Sequence, residues 1–328
     1  MENYLLGVDW GGTRIKLGAV SMDGSLLSHE MMSPSGSAGA ENTYNAVVDL
    51  LREFIERYGK PRGIGLGLTG PTDPDRGVVL LPGKIKDLEG FPIVQRLRME
   101  FGVPVWADND GRVAMYAEKY AGLARGQRWA VTLTLGTGVG SGVMLDGVVL
   151  RDPHFQLGTQ AGHLVIDLSH DQLCLTGARG TAEMLCSATA LVLAIRSGLQ
   201  RGIASVLSDQ YWDNAHSVDF RTILAVGIAG SDRLCLDELR RWTERLGWLL
   251  VNVVHAYSPE VIILSGGATA AAKYFLEDLR KHVATYAFRY PPGEAVPIVV
   301  SELGDHSGVI GAALMVKERL DSIPVVDG

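Results

Sequence analysis

Three places in the chain join the end of an apolar stretch to residues that can handle a phosphate. Asp9-Trp10-Gly11-Gly12-Thr13 follows Tyr4 to Val8, and Gly136-Thr137-Gly138-Val139-Gly140-Ser141-Gly142 follows Trp129 to Leu135. Gly266-Gly267 comes just after the apolar run Val261 to Leu264. A glycine turn after a strand points successive backbone N–H groups at one spot, where phosphate oxygens can accept them. Thr13 and Thr137 add hydroxyl donors. Asp9 is placed to orient a hydrated Mg²⁺, an ion that prefers carboxylate and water ligands. Any one turn reads equally well as a plain hairpin, and it is the recurrence that favours phosphate or nucleotide binding. None fits the P-loop or the dinucleotide fingerprint in its strand-to-helix setting.

A candidate base stands apart from these turns. Val103 to Trp106 is a predicted strand that leads through Ala107-Asp108-Asn109 to Asp110, and a helix is predicted over Gly111 to Tyr120. By itself Asp110 reads as an ordinary N-cap. The same placement keeps its carboxylate ionised and fixed in direction. Such a group can take the proton of an alcohol as that hydroxyl attacks phosphorus. Asn109 beside it could bind a neighbouring hydroxyl of a sugar. A base, Mg²⁺ and N–H-rich turns suffice for phosphoryl transfer, which is mostly positioning and charge neutralisation. Gly158-Thr159-Gln160-Ala161-Gly162-His163 is a polar, glycine-rich stretch, and Glu183 opens a helix after Gly177-Ala178-Arg179-Gly180. Taken singly, His163 reads as a structural histidine and Glu183 as a helix-start charge.

The elements that must position these residues follow a repeated plan. Near the N-terminus a strand, a glycine turn, the strand Arg14 to Val20 and the turn Met22-Asp23-Gly24 lead into Ser25-Leu26-Leu27. From Trp129 the plan returns: strand, glycine turn, Val143 to Leu145, Asp146-Gly147, then Val148 to Leu150. Two related domains are the natural reading. The intervening pattern is α/β, with a helix over Thr43 to Tyr58 and a strand over Gly63 to Leu68. Further helices are expected at 181–200, 232–257, 270–283 and 307–320, and strands at Val261 to Leu264 and Ile298 to Leu303. The last helix carries the small residues Gly308, Gly311, Ala312 and Ala313, suited to close packing. No Pro- or Ser-rich linker is seen, so a hinge borne on a helix is expected near residue 120.

Composition narrows the partners. A chain of 328 residues suits two domains of ordinary size. Its net charge of −7 gives no electrostatic footprint for nucleic acid. Three cysteines cannot build a disulfide framework, so a reducing compartment, the cytoplasm, is expected. No stretch reads as a signal peptide or a membrane span. Small molecules are the favoured partners.

In order and spacing the motifs resemble the ROK kinase family, within the actin and sugar-kinase fold, over essentially the whole chain. The resemblance rests on Asp9-x-Gly-Gly-Thr13, Val105 to Asp110, Leu135-Gly-Thr-Gly-Val-Gly140, Gly162-His163, Gly177-x-x-Gly180-x-x-Glu183 and Ile263-x-x-Gly266-Gly267. It implies two actin-like (ribonuclease H-like) lobes: residues 1–120 joined by the C-terminal helix 307–328, and residues 121–306. It also implies ATP-dependent phosphorylation of a hydroxyl on a hexose or hexose derivative in the cleft between them. Asp110 would then be the base, and Asn109, Gln160, His163 and Glu183 would contact the sugar. Asp9, Gly11, Gly12, Thr13, Gly136, Thr137, Gly138, Gly266 and Gly267 would hold Mg-ATP. The resemblance allows a homodimer.

Three departures bear on this. Gln160 stands where family kinases usually carry Glu, and Pro82 is followed by Gly83 rather than a sugar-binding Asn. Many members bind zinc through a histidine and C-x-C-G-x-x-G-C; here His163 and Cys174 remain, but Thr176 and Thr181 replace two thiols. A structural zinc site wants four ligands, so none is expected. The rival readings are a kinase for an unusual sugar and a catalytically inactive sugar-binding or sensor protein. The family's sugar-responsive repressors carry a helix-turn-helix ahead of the kinase-like region; with the first glycine turn at Gly11, none is expected here. ATP and polyphosphate both remain open as donors.

Overall fold

The computed structural model describes residues 3–11, 14–33, 39–81, 86–151, 160–288 and 294–322. In chain order the elements begin with β1 (Tyr4–Trp10), β2 (Ile15–Ser21), β3 (Leu26–Met32), α1 (Gly39–Tyr58), β4 (Ile64–Leu68), β5 (Thr72–Asp73) and β6 (Val78–Val79). Then come α2 (Ile93–Phe101), β7 (Val105–Asn109), α3 (Asp110–Ala121), β8 (Ala130–Leu135), β9 (Val139–Leu145) and β10 (Val148–Val149). The remainder is α4 (Ala182–Cys186), α5 (Ala188–Gln200), α6 (Ser208–Asp213), α7 (Phe220–Thr222), α8 (Arg233–Tyr257), β11 (Val261–Ser265), α9 (Ala272–Tyr286), β12 (Ile298–Val300) and α10 (Ser307–Asp321).

The chain divides into two compact units. One is Met1–Arg128 with Gly142–Thr159 and Ser301–Gly328, the other Trp129–Ser141 with Gln160–Val300, so the division runs through β9. Where the sequence suggested a change at residue 120, the first unit continues to Arg128 and takes in 142–159 as well. Two five-stranded sheets carry one topology, with orders β3-β2-β1-β4-β7 and β10-β9-β8-β11-β12. In the first, β1 runs antiparallel to β2 and parallel to β4, and β4 parallel to β7. In the second, β8, β11 and β12 are parallel neighbours. The strand–turn–strand repeat of the sequence is thus repeated as a mixed sheet, and the α/β class holds.

Central strands are apolar almost without interruption because both their faces are covered. In β1 every residue but Asp9 is buried. α1 turns Val47, Val48, Leu51 and Phe54 into the core that holds Leu6, Trp10 and Leu66, each contributing roughly 1.5–3 kcal/mol on full burial. α10 lies on β1, β4 and α3, and the small residues read from the sequence let it come close. A side chain on Gly7 or Gly65 would collide with the α10 carbonyls of Val309 or Ala312.

Several boundaries differ from the sequence reading. The helix expected at 181–200 is two helices, because Ser187 breaks it and caps α5 by accepting the Ala190 N–H at 3.1 Å. The strand expected to run to Leu303 stops at Val300, since the Ser301 hydroxyl turns away to donate to buried Glu118. α1 starts at Gly39 rather than Thr43, and α2 and the helical turns from Ser208 to Ile228 were not foreseen. Among the described residues no helix is long and apolar enough to cross a membrane.

Candidate active site

In the first unit, register brings the acids to one level. Asp9 pairs with Gly67, and Gly67 with Asp108, so the ends of β1, β4 and β7 finish side by side. With strands about 4.8 Å apart, the outer two lie about 10 Å from each other across β4. Asp110 is the first residue of α3. The cap is not Asp110 but Asn109, whose Oδ1 accepts the Gly111 N–H at 3.0 Å; Asp110 Oδ1 accepts the same N–H at 2.9 Å. Asn109 Nδ2 also donates to Gly70 O at 2.9 Å, so its amide is committed to the turn after β4 as well as to the helix start.

Burial, and then the neighbouring Asp9 charge, push Asp110 up to about 6, against the pull of the Gly111 N–H, Asn109 and Arg112. Beneath it, Arg112 Nε and Asp108 Oδ1 form a buried pair at 2.5 Å, with side chains 1% and 0% exposed. The same Oδ1 accepts the Asn109 N–H at 2.7 Å. This pair fixes the chain on either side of the candidate base.

Asp9 is half-buried, and burial holds its carboxyl above the ordinary range, with Lys16 opposing and Asp305 adding to the rise. Lys16 is the residue the sequence reading passed over. Across the hairpin it faces Asp9 in register, and its Nζ donates to Asp305 O at 2.7 Å. Hairpin register was the signal that could have found it. Gly11 donates its N–H to Arg14 O at 3.1 Å, closing the turn, while Gly12 and Thr13 lie outside the described residues. Gly83 and Thr159 lie outside them too.

In the second unit the glycine turns meet. Thr134 and Ser265 are register partners at the ends of β8 and β11, and their hydroxyls are 3.2 Å apart. Gly266 has φ +88 and sits against the Leu135 backbone, a place that only glycine fills without strain. A Cβ on Gly136 or Gly267 would meet open space, so both backbones are accessible. Gly136 N–H donates to Gly138 O at 3.0 Å, and Ala188 N–H to Gly136 O at 2.9 Å.

The polar candidates gather around the same turn. Glu183 Oε2 accepts the Val139 N–H at 3.2 Å, and it fills the space a side chain on Gly138 would need. Gly162 packs on the Val139 carbonyl so closely that a side chain there would collide with it. Gln160 leads into the turn Ala161–His163, anchored by Ala161 N–H to Ser141 Oγ at 2.9 Å. Thus the segment from Gln160 to His163 packs on the start of β9 through Ala161 and Gly162, Glu183 lies against Gly138 and Val139, and Gly266 adjoins through Leu135. The contact of Glu183 with the turn could not be read from sequence, because 44 residues separate it from Val139.

Next to these segments lies the thiol-poor loop. Cys174 Sγ is 3.0 Å from Thr176 Oγ1, while His163 Nδ1 and Thr181 Oγ1 are buried with no hydrogen-bond partner among the described residues. Burial works against the Cys174 thiolate, but Thr176, His163 and the Ala178 N–H together outweigh it and lower the thiol's pKa. Two hydroxyls, one thiol and one imidazole are a poor donor set for Zn²⁺, and among the described residues no three His, Cys, Asp or Glu side chains converge as a metal cluster would need.

The chain is similar to known proteins over nearly its whole length. A family model described as "ROK family" matches residues 5–319. A glucokinase of Thermotoga maritima is 30% identical over 318 residues, spanning 96% of this chain and 98% of that protein. The crystal structure of a ROK family glucokinase from Streptomyces griseus in complex with glucose and AMPPNP superposes with a TM-score of 0.81 at 25% identity, covering 95% of this chain and 99% of that one. A xylose repressor of Caldicellulosiruptor bescii is 26% identical over 98% of this chain and 79% of its own length.

Proposed function

The chain belongs to the ROK family, and from that premise we propose that it is an ATP-dependent kinase acting on a hydroxyl of a hexose or hexose derivative. The family holds sugar kinases and repressors alike, so the choice between them rests on the chemistry of this chain's residues. The observation that carries the reading is Asp110, a carboxylate fixed at the start of α3 and raised to about 6. At neutral pH such a group is ionised yet more basic than an ordinary carboxylate, as a general base needs to be.

In the proposed reaction the acceptor hydroxyl gives its proton to Asp110 while its oxygen bonds to the terminal phosphorus of ATP. The bond from that phosphorus to the bridging oxygen breaks, and ADP leaves. The second unit's turns, Thr137-Gly138 and Gly266-Gly267, would supply N–H groups to the phosphates, while the Gly136 N–H closes the turn on Gly138 O. Mg²⁺ would neutralise phosphate charge when bound. Asp9 suits its hydrated form, as a single half-buried carboxylate at a strand end with its charge only partly met by Lys16. His163, Gln160 and Glu183 would take sugar hydroxyls. Gln160 brings no charge and Asn109 is committed to its cap, which favours a sugar other than plain glucose. Three free thiols suit a reducing cytoplasm.

An ADP-release assay across hexoses, N-acylated amino sugars and ketoses, with ATP and polyphosphate as donors, tests the proposal. Release that depends on one sugar class and on ATP is expected. No sugar-dependent release from any acceptor would contradict it.

A further inference from the structure

Glu183 carries two duties that conflict. As a sugar ligand it must offer its carboxylate to hydroxyls, yet here that carboxylate is bound to the phosphate turn. Oε2 accepts the Val139 N–H at 3.2 Å and lies against Gly138, whose missing side chain makes room for it. Gly162 presses on the carbonyl of the same Val139, so the turn is gripped from two sides by segments proposed to bind sugar. A triphosphate brought to Gly136-Thr137-Gly138 would meet a carboxylate on the turn itself. That is like-charge repulsion at short range, and the carboxylate also occupies the Val139 N–H that closes the turn.

We propose that Glu183 is the switch through which the acceptor sugar controls nucleotide binding. Without sugar, the carboxylate occupies Val139 N–H and holds phosphate off. Sugar hydroxyls donating to Glu183 draw it from the turn, free the amide and lower the repulsion. The two substrates then bind with positive coupling, and by linkage each strengthens the other by the same factor. The arrangement also disfavours ATP cleavage by water when no sugar is bound. This inference rests on the kinase reading.

The test measures nucleotide affinity by calorimetry, using a non-hydrolysable ATP analogue with Mg²⁺, with and without the sugar that supports turnover. For the wild-type chain, roughly tenfold tighter binding with sugar is expected, a coupling of about 1.4 kcal/mol. In Glu183→Gln the charge is lost but an acceptor for Val139 remains. Its sugar-free nucleotide affinity should rise about fivefold or more, and Glu183→Ala should show the same rise even where sugar binding is lost. Thermal melts without ligand show that each variant is folded, and the wild-type comparison stands without either. Equal wild-type affinity with and without sugar would overturn the inference, as would wild-type-like sugar-free affinity in both folded variants. The kinase reading fails separately, if no sugar supports ADP release from the wild-type chain.

Discussion

In the first unit two parallel strands carry an acid one residue from their ends, Asp9 in β1 and Asp108 in β7, with Asp110 opening the helix beyond β7. In the second unit, built on the same strand order, the ends of β8 and β11 carry Thr134 and Ser265, and glycines follow each strand. One topology therefore supports two chemistries. Acids at strand ends suit a base and a hydrated cation; hydroxyls and backbone N–H groups suit phosphate oxygens. The fold sets where strand ends lie, and the residues placed on those ends decide what they can do.

Changes that remove the acidic character of the first unit should have the largest effects. Asp9→Ala is expected to lower sugar-dependent ADP release on the order of 10³-fold, since charge neutralisation at phosphate is a major term in such reactions; steady-state kinetics check it. Arg112→Ala breaks the buried pair with Asp108 and leaves an uncompensated charge. It should cost about 3–5 kcal/mol of stability in denaturant unfolding. A conservative loss, within about 1 kcal/mol, would show that the pair does not fix β7 to α3.

The pH profile sharpens the same comparison. A carboxylate can serve as a base only when ionised, and Asp110 is raised to about 6. Below that value kcat/KM should fall about tenfold per pH unit, and above it level off. Because the Asp9 charge contributes to the rise, Asp9→Asn should move the Asp110 midpoint down, measurable by carboxyl NMR titration even where turnover is lost.

The smallest effect is expected in the second unit's loop. Converting Thr176 and Thr181 to Cys would complete a set of three thiols and His163, and the double variant should hold about one zinc per chain after chelator washing. The wild-type chain is expected to hold none, and stoichiometric zinc in it would show that the two threonines do not disable the site.

Sequence and structure agree where local pattern governs. The strand, glycine turn and Asp-Gly repeat pointed to two related domains, and the two sheets share one strand order; α1, α3, α8 and α10 were also expected from the sequence. Pattern misled where a side chain reached outside its own element. Ser187 splits a continuous apolar helix pattern by capping α5, and Ser301 ends β12 by bonding to Glu118. The cap fell to Asn109 rather than Asp110: both side chains accept the Gly111 N–H, but Asn109 has extended backbone while Asp110 is already the first helical residue. The glycine turns were legible one by one. The grip of Glu183 and Gly162 on Val139 was not, because it joins segments far apart in sequence.

The central claim is that Asp110 is the base, and Asp110→Asn tests it most directly when turnover, sugar affinity and stability are measured on one preparation. Turnover should fall on the order of 10³-fold, with sugar affinity within about threefold of wild type. Folding raises this carboxyl from 3.8 to about 6, so the folded state favours the protonated form. The resulting stability is fully present below pH 3.8 and lost as pH rises through about 6. The amide does not ionise, so at pH 8 the variant should melt higher, by up to about 3 kcal/mol of stability. Wild-type turnover in a folded Asp110→Asn protein would contradict the account.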